Sequence, residues 1–180
     1  MKQVPLLSRP LEIGTIGDGV RAERIVASDT ERAALAAEHG LVGLEALSAD
    51  IDVRRGASGL VLVDGRLRAE VVQTCVVSLV PVPQRIDDAF PLSFAPAGSD
   101  AAPPRPRPGA EVLVDPDIDQ PDILEGSTLD LGAITAEQFA LALDPYPRAP
   151  GAAMPADAVP EDAGPRSPFA ALAALKTPKS

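Results

Sequence analysis

The sequence is poor in aromatic residues and in cysteine. Its 180 residues include no Trp, one Tyr, four Phe and a single cysteine, Cys75. One thiol cannot form an internal disulfide, so nothing in the composition points to an oxidising compartment. The scarcity of aromatic side chains also argues against a surface that stacks the bases of single-stranded nucleic acid. We therefore expect a core of Val, Leu, Ile and Ala.

Long apolar runs are missing as well. No stretch approaches the roughly 20 apolar residues that a membrane span needs. Residues 1–8 carry one charged side chain and no apolar segment of signal-peptide length. These features predict a cytoplasmic protein without a membrane partner, and the length of the chain predicts about one domain.

Basic residues are outnumbered by acidic ones, 16 to 26, which gives a net charge of −10. The excess is concentrated in residues 111–180, where 12 acids face 4 bases and the net charge is −8. Such a segment repels phosphate backbones, because nucleic-acid binding depends on cationic side chains that neutralise phosphates. It is compatible either with simple solubility or with a surface for a basic protein.

The apolar pattern predicts one α+β domain over residues 1–148. We expect an antiparallel β meander, a partly closed and barrel-like sheet, and two or three short helices. Near the start, two short strands are expected to form a hairpin around residues 14–19. Ser28 with Glu31 is the capping-box pattern of a helix start, and Gly40 is a suitable C-cap for that helix.

The middle of the chain predicts strands. Residues 47–54 alternate between apolar and polar side chains, as half-buried strands do. Asp64-Gly65 is a strong signal for a two-residue hairpin turn. Residues 66–73 alternate again, and residues 84–94 are predicted to form a further strand.

The last third of the chain is predicted to be partly irregular. Residues 95–109 are rich in Pro and read as a mobile loop. Thr135 with Gln138 is a second capping-box pattern and predicts a helix start. Residues 149–166 are predicted to be a disordered acidic linker.

The C-terminus is predicted to form an amphipathic helix over residues 167–176. Its apolar stripe consists of Phe169, Leu172 and Leu175, which lie about one turn apart. Such a stripe needs a surface to bury it. The sequence leaves open whether the helix docks on its own domain or on a partner.

No catalytic set is present in the sequence. The one histidine, His39, and the one cysteine lie in separate segments, and no nucleophile elbow occurs. Residues 75–78 have the spacing of a Cys-x-x-Cys knuckle, but Ser78 takes the place of the second sulfur. A zinc site needs about four ligands, so we expect no metal. Since no catalytic set is present either, we expect no other cofactor and no enzymatic activity. Cys75 is expected to behave as a small buried apolar residue.

Three segments carry a resemblance to a known family. They are QTCVVS at residues 73–78 within the longer match 65–82, LDLGAIT at the start of 129–148, and SPFAALAALK at 167–176. In this order they resemble the YceD family of large ribosomal RNA subunit accumulation proteins. The resemblance implies a role in large ribosomal subunit biogenesis that supports 23S rRNA accumulation. The positions that match the family motifs are Gln73, Cys75, Asp130, Leu131 and Gly132.

The resemblance also implies what this chain lacks. Many members of the family carry Cys-x-x-Cys in the first motif and further cysteines after the second. Here Ser78 and Arg148 stand at those places, so the resemblance brings no metal site with it. Gly132 is predicted to permit a tight turn into the second helix.

Two classes of function remain open from the sequence. The first is a binding factor for a ribosomal protein or a large-subunit precursor, with protein contact favoured over direct rRNA contact. The second is a metal- or ligand-binding domain built around Cys75, with a pocket that also holds His39, or a protein-interaction module unrelated to ribosomes. The candidate partner-binding residues, of which the arginines form the one candidate RNA patch, are Arg54, Arg55, Arg66, Arg68, Phe169, Leu172 and Leu175.

Overall fold

The computed structural model describes residues 5–103 and 120–153. The predicted terminal helix at 167–176 lies outside these ranges, as do residues 104–109 of the predicted Pro-rich loop and residues 154–166 of the predicted linker. The described elements are β1 Pro10–Glu12, β2 Arg21–Val26, α1 Asp29–Glu38, β3 Gly43–Arg55, β4 Val61–Thr74, β5 Pro81–Pro96, β6 Asp122–Leu124, β7 Thr128–Asp130 and α2 Leu131–Ala142.

Two sheets organise the described part of the chain. The larger has five strands in the order β2-β3-β4-β5-β6, and its pairs are antiparallel except for the parallel pair β5–β6. The smaller consists of β1 and β7 in antiparallel pairing. The α+β class is confirmed, and the five-stranded sheet is open rather than closed into a barrel.

The core lies between the inner face of the large sheet and the two helices. The alternation predicted for residues 47–54 is confirmed, because Leu47, Ala49, Ile51 and Val53 are all buried. β4 contributes its odd-numbered residues to the same face. The helical residues buried in this core are Leu35 of α1 and Leu131, Ile134 and Phe139 of α2.

The predicted start of α1 is confirmed. Ser28 accepts a hydrogen bond from the Glu31 amide at 3.4 Å, and the Glu31 carboxylate accepts one from the Ser28 amide at 2.8 Å. Gly40 has the positive φ of +61° expected of a helix C-cap. Arg9 adds two hydrogen bonds to the Glu31 carboxylate, at 2.8 and 3.1 Å, and so ties the N-terminal segment to this helix.

The predicted N-terminal hairpin is wrong. β1 pairs with β7 instead of β2, and residues Ile13–Thr15 form a short 3-10 turn. Arg55 holds this turn against the large sheet, because its guanidinium donates to the carbonyls of Ile13 and Ile16 at 2.9 and 3.0 Å. The glycines of residues 14–19 therefore lie in a crossing between two sheets.

The Asp64-Gly65 hairpin is also wrong. β4 runs unbroken from Val61 to Thr74, and its neighbours β3 and β5 both pair with it at these two residues. Gly65 is required for packing: the Phe90 ring, directly opposite on β5, fills the space where a side chain would lie. A Cβ on Gly65 would be 2.1 Å from Phe90 Cζ.

The start of α2 lies earlier than Thr135. The helix begins at Leu131 with Asp130 as its N-cap, and the Asp130 carboxylate accepts hydrogen bonds from the Gly132 and Ala133 amides at 3.0 and 3.1 Å. Thr135 lies one turn inside, where its hydroxyl donates to the Leu131 carbonyl at 2.8 Å. Asp is at least as good an N-cap residue as Thr, and Asp130 is the residue that caps α2.

Replacing Gly65 with alanine is expected to lower the free energy of unfolding by about 1–3 kcal/mol, because the new methyl group must displace the Phe90 ring. Urea unfolding followed by circular dichroism measures the change. Gly43→Ala is the matched control, since its Cβ would meet only the movable Glu45 carboxylate at 3.1 Å and Val72 at 4.0 Å. This packing would be contradicted if Gly65→Ala had the unfolding free energy of the wild type. It would also be contradicted if Gly65→Ala destabilised a Phe90→Ala variant as much as it destabilises the wild type.

Candidate functional site at the Cys75 end of the sheet

The loop of residues 75–80 joins β4 to β5 and forms one end of the large sheet. The Cys75 amide donates to the Val80 carbonyl at 2.8 Å, and the Leu79 amide donates to the Cys75 carbonyl at 3.0 Å. Leu79 has a φ of +61°, a left-handed conformation that is uncommon for a residue with a large side chain. The loop is therefore a tight, internally bonded turn.

The sulfur of Cys75 is at the centre of this turn and is fully buried. It accepts hydrogen bonds from three backbone amides: those of Val77 at 3.4 Å, Ser78 at 3.3 Å and Ala149 at 3.3 Å. The first two amides belong to the loop itself, and the third comes from the segment after α2. The expected burial of Cys75 is observed, and the sulfur also joins two parts of the chain.

These donors change the acidity of the thiol. Hydrogen bonding from the Ser78 hydroxyl, and then from the amides of Ala149 and Ser78, outweighs the effect of burial and lowers the pKa of Cys75 from 9.0 to about 6. Hydrogen bonds to the charged form favour that form. The surroundings of the sulfur thus favour the thiolate, while its burial keeps it from reagents in solution.

The residues around Cys75 do not fit a zinc ion. Zinc requires about four ligand atoms, and soft sulfur or imidazole donors are typical. Ser78 occupies the second knuckle position, and Cys75 is the chain's one cysteine, so the site offers one sulfur ligand only. Within residues 5–103 and 120–153, no group of three or more His, Cys, Asp or Glu side chains could hold a metal. The ligand atoms available near Cys75 therefore argue against a metal-binding domain built around this residue.

Gln73 ties β4 to the segment after α2. Its side chain is 8% exposed, and Nε2 donates to the Asp144 carbonyl at 2.9 Å. Its Oε1 is buried without a donor among the described residues. Close by, the Val76 amide donates to the Pro147 carbonyl at 2.9 Å. Together with the Cys75 sulfur, these contacts fix residues 144–149 against the end of the sheet.

The other motif positions lie at the opposite end of α2. The Asp130 carboxylate accepts from the Ser8 hydroxyl at 2.6 Å and from the Arg9 amide at 2.7 Å, in addition to its helix-capping bonds. Burial acts to raise the pKa of Asp130, but these hydrogen bonds outweigh it and hold the pKa below its usual value. Leu131, which is buried, donates its amide to the Arg9 carbonyl at 3.0 Å.

Gly132 does not serve the predicted turn. It lies in the first turn of α2, directly against the backbone of the N-terminal segment, and its Cβ would be 2.7 Å from the Arg9 amide nitrogen. The requirement at this position is close backbone approach, because the neighbouring atoms are main chain and cannot move as a side chain can. The motif positions therefore fix α2 at both of its ends.

A cleft opens between the Cys75 loop and the end of α2. Its volume is about 360 Å³. Its lining contains His39, whose ring meets the edge of Phe139 with a centroid distance of 5.9 Å, and Gln73, but not Cys75. The lining is mixed, and its six apolar members are Leu41, Val76, Ala140, Leu143, Pro145 and Pro147.

Exposed apolar side chains occur in the chain segments that line this cleft or directly beside them in sequence. They are between 45% and 75% exposed and consist of Val42, Val76, Leu79, Val80, Leu141 and Tyr146. We refer to these residues and the cleft lining as the Cys75-end surface. Apolar patches on a protein surface mark interaction sites when they are large. This surface could not be predicted from the sequence, because it combines three segments that are far apart in the chain.

Three of the four candidate arginines share one surface. Arg54, Arg66 and Arg68 project from the outer face of the large sheet, which no described helix covers. Arg55 does not join them, because its guanidinium is used to bind the carbonyls of Ile13 and Ile16. The sequence-predicted patch is thus reduced from four arginines to three.

The arginines of the outer face are paired with carboxylates. Arg66 makes two hydrogen bonds to Asp87, at 2.6 and 2.9 Å, and these lower the pKa of Asp87. Arg68 bonds Asp50 at 2.8 Å. Eight arginines of the described ranges make such ion pairs: Arg9, Arg21, Arg24, Arg32, Arg54, Arg66, Arg68 and Arg85. The outer face is a mosaic of both charges rather than a basic patch.

The remaining candidate residues, Phe169, Leu172 and Leu175, lie outside the described residues. Asp144, Pro147 and Ala149 were not predicted to belong to the site. They contribute carbonyl and amide groups, which every residue carries, so their side chains gave no signal.

A comparison with protein families matches residues 63–176 to the large ribosomal RNA subunit accumulation protein YceD. The chain belongs to the YceD family. The matched range begins in β4 and includes the Cys75 loop and α2, which supply two of the three chain segments of the Cys75-end surface. The third segment, residues 39–42, precedes the matched range. Neither the curated proteins nor the solved structures contain a match. No helix within residues 5–103 and 120–153 is both long and apolar enough to cross a membrane.

The Cys75 thiolate is expected to make stability depend on pH. Because its folded pKa of about 6 lies below the ordinary 9.0, the stabilisation is fully present above pH 9 and is lost as pH falls through 6. The difference in unfolding free energy between the wild type and Cys75→Ser should therefore increase from pH 6 to pH 9. Denaturant titrations at several pH values measure it.

The comparison isolates the thiol, since both chains share every other titrating group. Ser78→Ala provides a control, because loss of its hydroxyl raises the pKa of Cys75 and should reduce the pH-dependent part. Parallel stability curves for the wild type and Cys75→Ser would show that the folded protein does not favour the thiolate.

Proposed function

We propose that this chain is a non-catalytic factor in large ribosomal subunit biogenesis, acting in the cytoplasm where ribosomes assemble. It would support 23S rRNA accumulation by binding a ribosomal protein or a large-subunit precursor. Membership of the YceD family supports the ribosomal role. The pairing of the outer-face arginines supports a contact with protein rather than with rRNA.

The ion pairs of the outer-face arginines are the main support for protein contact over rRNA contact. Phosphate binding gains its free energy from cationic side chains that neutralise phosphates and release counterions. Arg54, Arg66 and Arg68 are already neutralised by carboxylates on neighbouring strands, so a phosphate would have to compete with Asp64, Asp87 and Asp50. The mosaic face therefore offers little attraction to an RNA backbone.

The overall charge supports a basic protein as the partner. With a net charge of −10, the chain repels rRNA and attracts basic ribosomal proteins over distances of about a Debye length. Such attraction mainly accelerates association and weakens as salt is added. A basic protein that is held by this attraction alone should be released by moderate salt. A partner whose contact also buries apolar surface should remain bound.

Complementation separates protein contact from rRNA contact. Cells that lack the protein should contain less 23S rRNA relative to 16S rRNA, and the wild-type chain should restore the ratio. The double variant Arg66→Ala, Arg68→Ala should restore it equally well under our proposal. The fold should tolerate both changes, because these exposed ion pairs each contribute only about 0–1 kcal/mol. An unchanged rRNA ratio in cells lacking the protein would refute the ribosomal role.

Direct binding provides the second measurement. The purified full-length chain is mixed either with naked 23S rRNA or with total protein extracted from large subunits, at low and at moderate salt. We expect capture of specific basic proteins, identified by mass spectrometry, and weak rRNA binding that the arginine double variant leaves unchanged. Tight binding to naked rRNA that the double variant abolishes would overturn the preference for protein contact.

A further inference from the structure

The Cys75-end surface is unoccupied by any described part of the chain. Its exposed members include Leu79 and Tyr146, at 75% and 72% exposure, and six of the eleven residues that line its cleft are apolar. Leaving such an area in water is unfavourable by roughly 25 cal/mol for each Å² of apolar surface. A segment with complementary apolar side chains would therefore gain free energy by docking here.

The chain itself leaves the described domain at this surface. Ala149 donates its amide to the Cys75 sulfur at 3.3 Å, and a turn closed by the Ala152 amide and the Ala149 carbonyl follows at 3.0 Å. The described part ends one residue later, at Ala153. The rest of the chain therefore begins beside the Cys75 loop and the cleft.

We propose that residues 167–176 of the same chain dock in the cleft of the Cys75-end surface. The sequence of this segment predicts a helix with Phe169, Leu172 and Leu175 on one stripe, which is the form in which a short helix enters an apolar groove. A helix of this length is marginal in water, so docking would also supply the free energy that stabilises it. Lys176 would lie at the end of the stripe, and the cleft contains Asp144 as a carboxylate of opposite charge.

The connection is long enough for this contact. Fourteen peptide steps separate Ala153 from Ser167. At up to about 3.5 Å each they span roughly 50 Å when extended. The segment can therefore reach the cleft from the point where the described domain ends.

The tether favours this segment over a second copy. Short tethers hold a linked segment at an effective concentration in the millimolar range. A segment that binds with a dissociation constant of about 0.1 mM would then be docked roughly 90% of the time. Copies of the protein at micromolar concentration compete about a thousandfold less effectively, so the contact is expected to form within one chain.

This inference is independent of the proposed ribosomal function, because its test uses the isolated protein. Amide hydrogen exchange read by mass spectrometry is measured on the full-length wild type, on Leu172→Asp and on Ala174→Asp. Both variants add one negative charge to the segment, but Leu172 belongs to the stripe and Ala174 lies on the opposite side of the predicted helix. Under our proposal, Leu172→Asp lowers protection of residues 167–176 about tenfold and also exposes residues 75–80. Ala174→Asp should retain most of that protection.

A change on the other side of the contact completes the experiment. Val76→Asp places a charge in the cleft and should lower protection of residues 167–176 as Leu172→Asp does. The double variant should lose little more than either single change, because both remove the same contact. Unprotected 167–176 amides in the wild type, or equal losses in both tail variants, would overturn the proposal. Protection that rises with protein concentration would overturn it as well, by identifying a second copy as the occupant.

Discussion

The structure depends on how α2 is held at its two ends. At the start of the helix, one carboxylate, that of Asp130, accepts from the first helical amides and from the Arg9 amide, so helix and N-terminal segment share a single anchor. At the other end, Gln73 and the Cys75 sulfur bind the backbone that leaves the helix. Between these points, Phe139 is fully buried against the sheet. The cleft exists because the second anchor turns the chain back along the Cys75 loop.

Much of this fold could be predicted from local patterns. The capping box at Ser28 and the alternation through Ile51 depend on neighbours within a few residues, and both are observed. The Asp64-Gly65 signal failed because tertiary pairing overrides a turn propensity. Two strands pair with β4 at that point, and the absence of a side chain at Gly65 accommodates the ring of Phe90. A glycine needed for packing and a glycine needed for a turn are identical in the sequence.

The site was less predictable than the fold. The burial of Cys75 follows from its apolar neighbours, but its third hydrogen-bond donor, Ala149, is 74 residues away and contributes only a backbone amide. The pairing of the arginines could not be predicted from the sequence either. Alternation places Arg66 and Arg68 on one face, but only the register with β5 brings Asp87 between them. The charges on one strand therefore do not predict the net charge of a sheet face, because neighbouring strands contribute charges of their own.

The sulfur of Cys75 explains how the loop can keep its shape with one cysteine. A metal knuckle orders its loop because the ion draws sulfur atoms together, whereas here amide donors converge on one sulfur that carries the negative charge. The amides of Val77 and Ser78 point inward to this sulfur, while the side chains of Val76 and Leu79 are exposed. The same short loop therefore contains both the hydrogen bonds that favour the thiolate and the exposed apolar side chains of the Cys75-end surface.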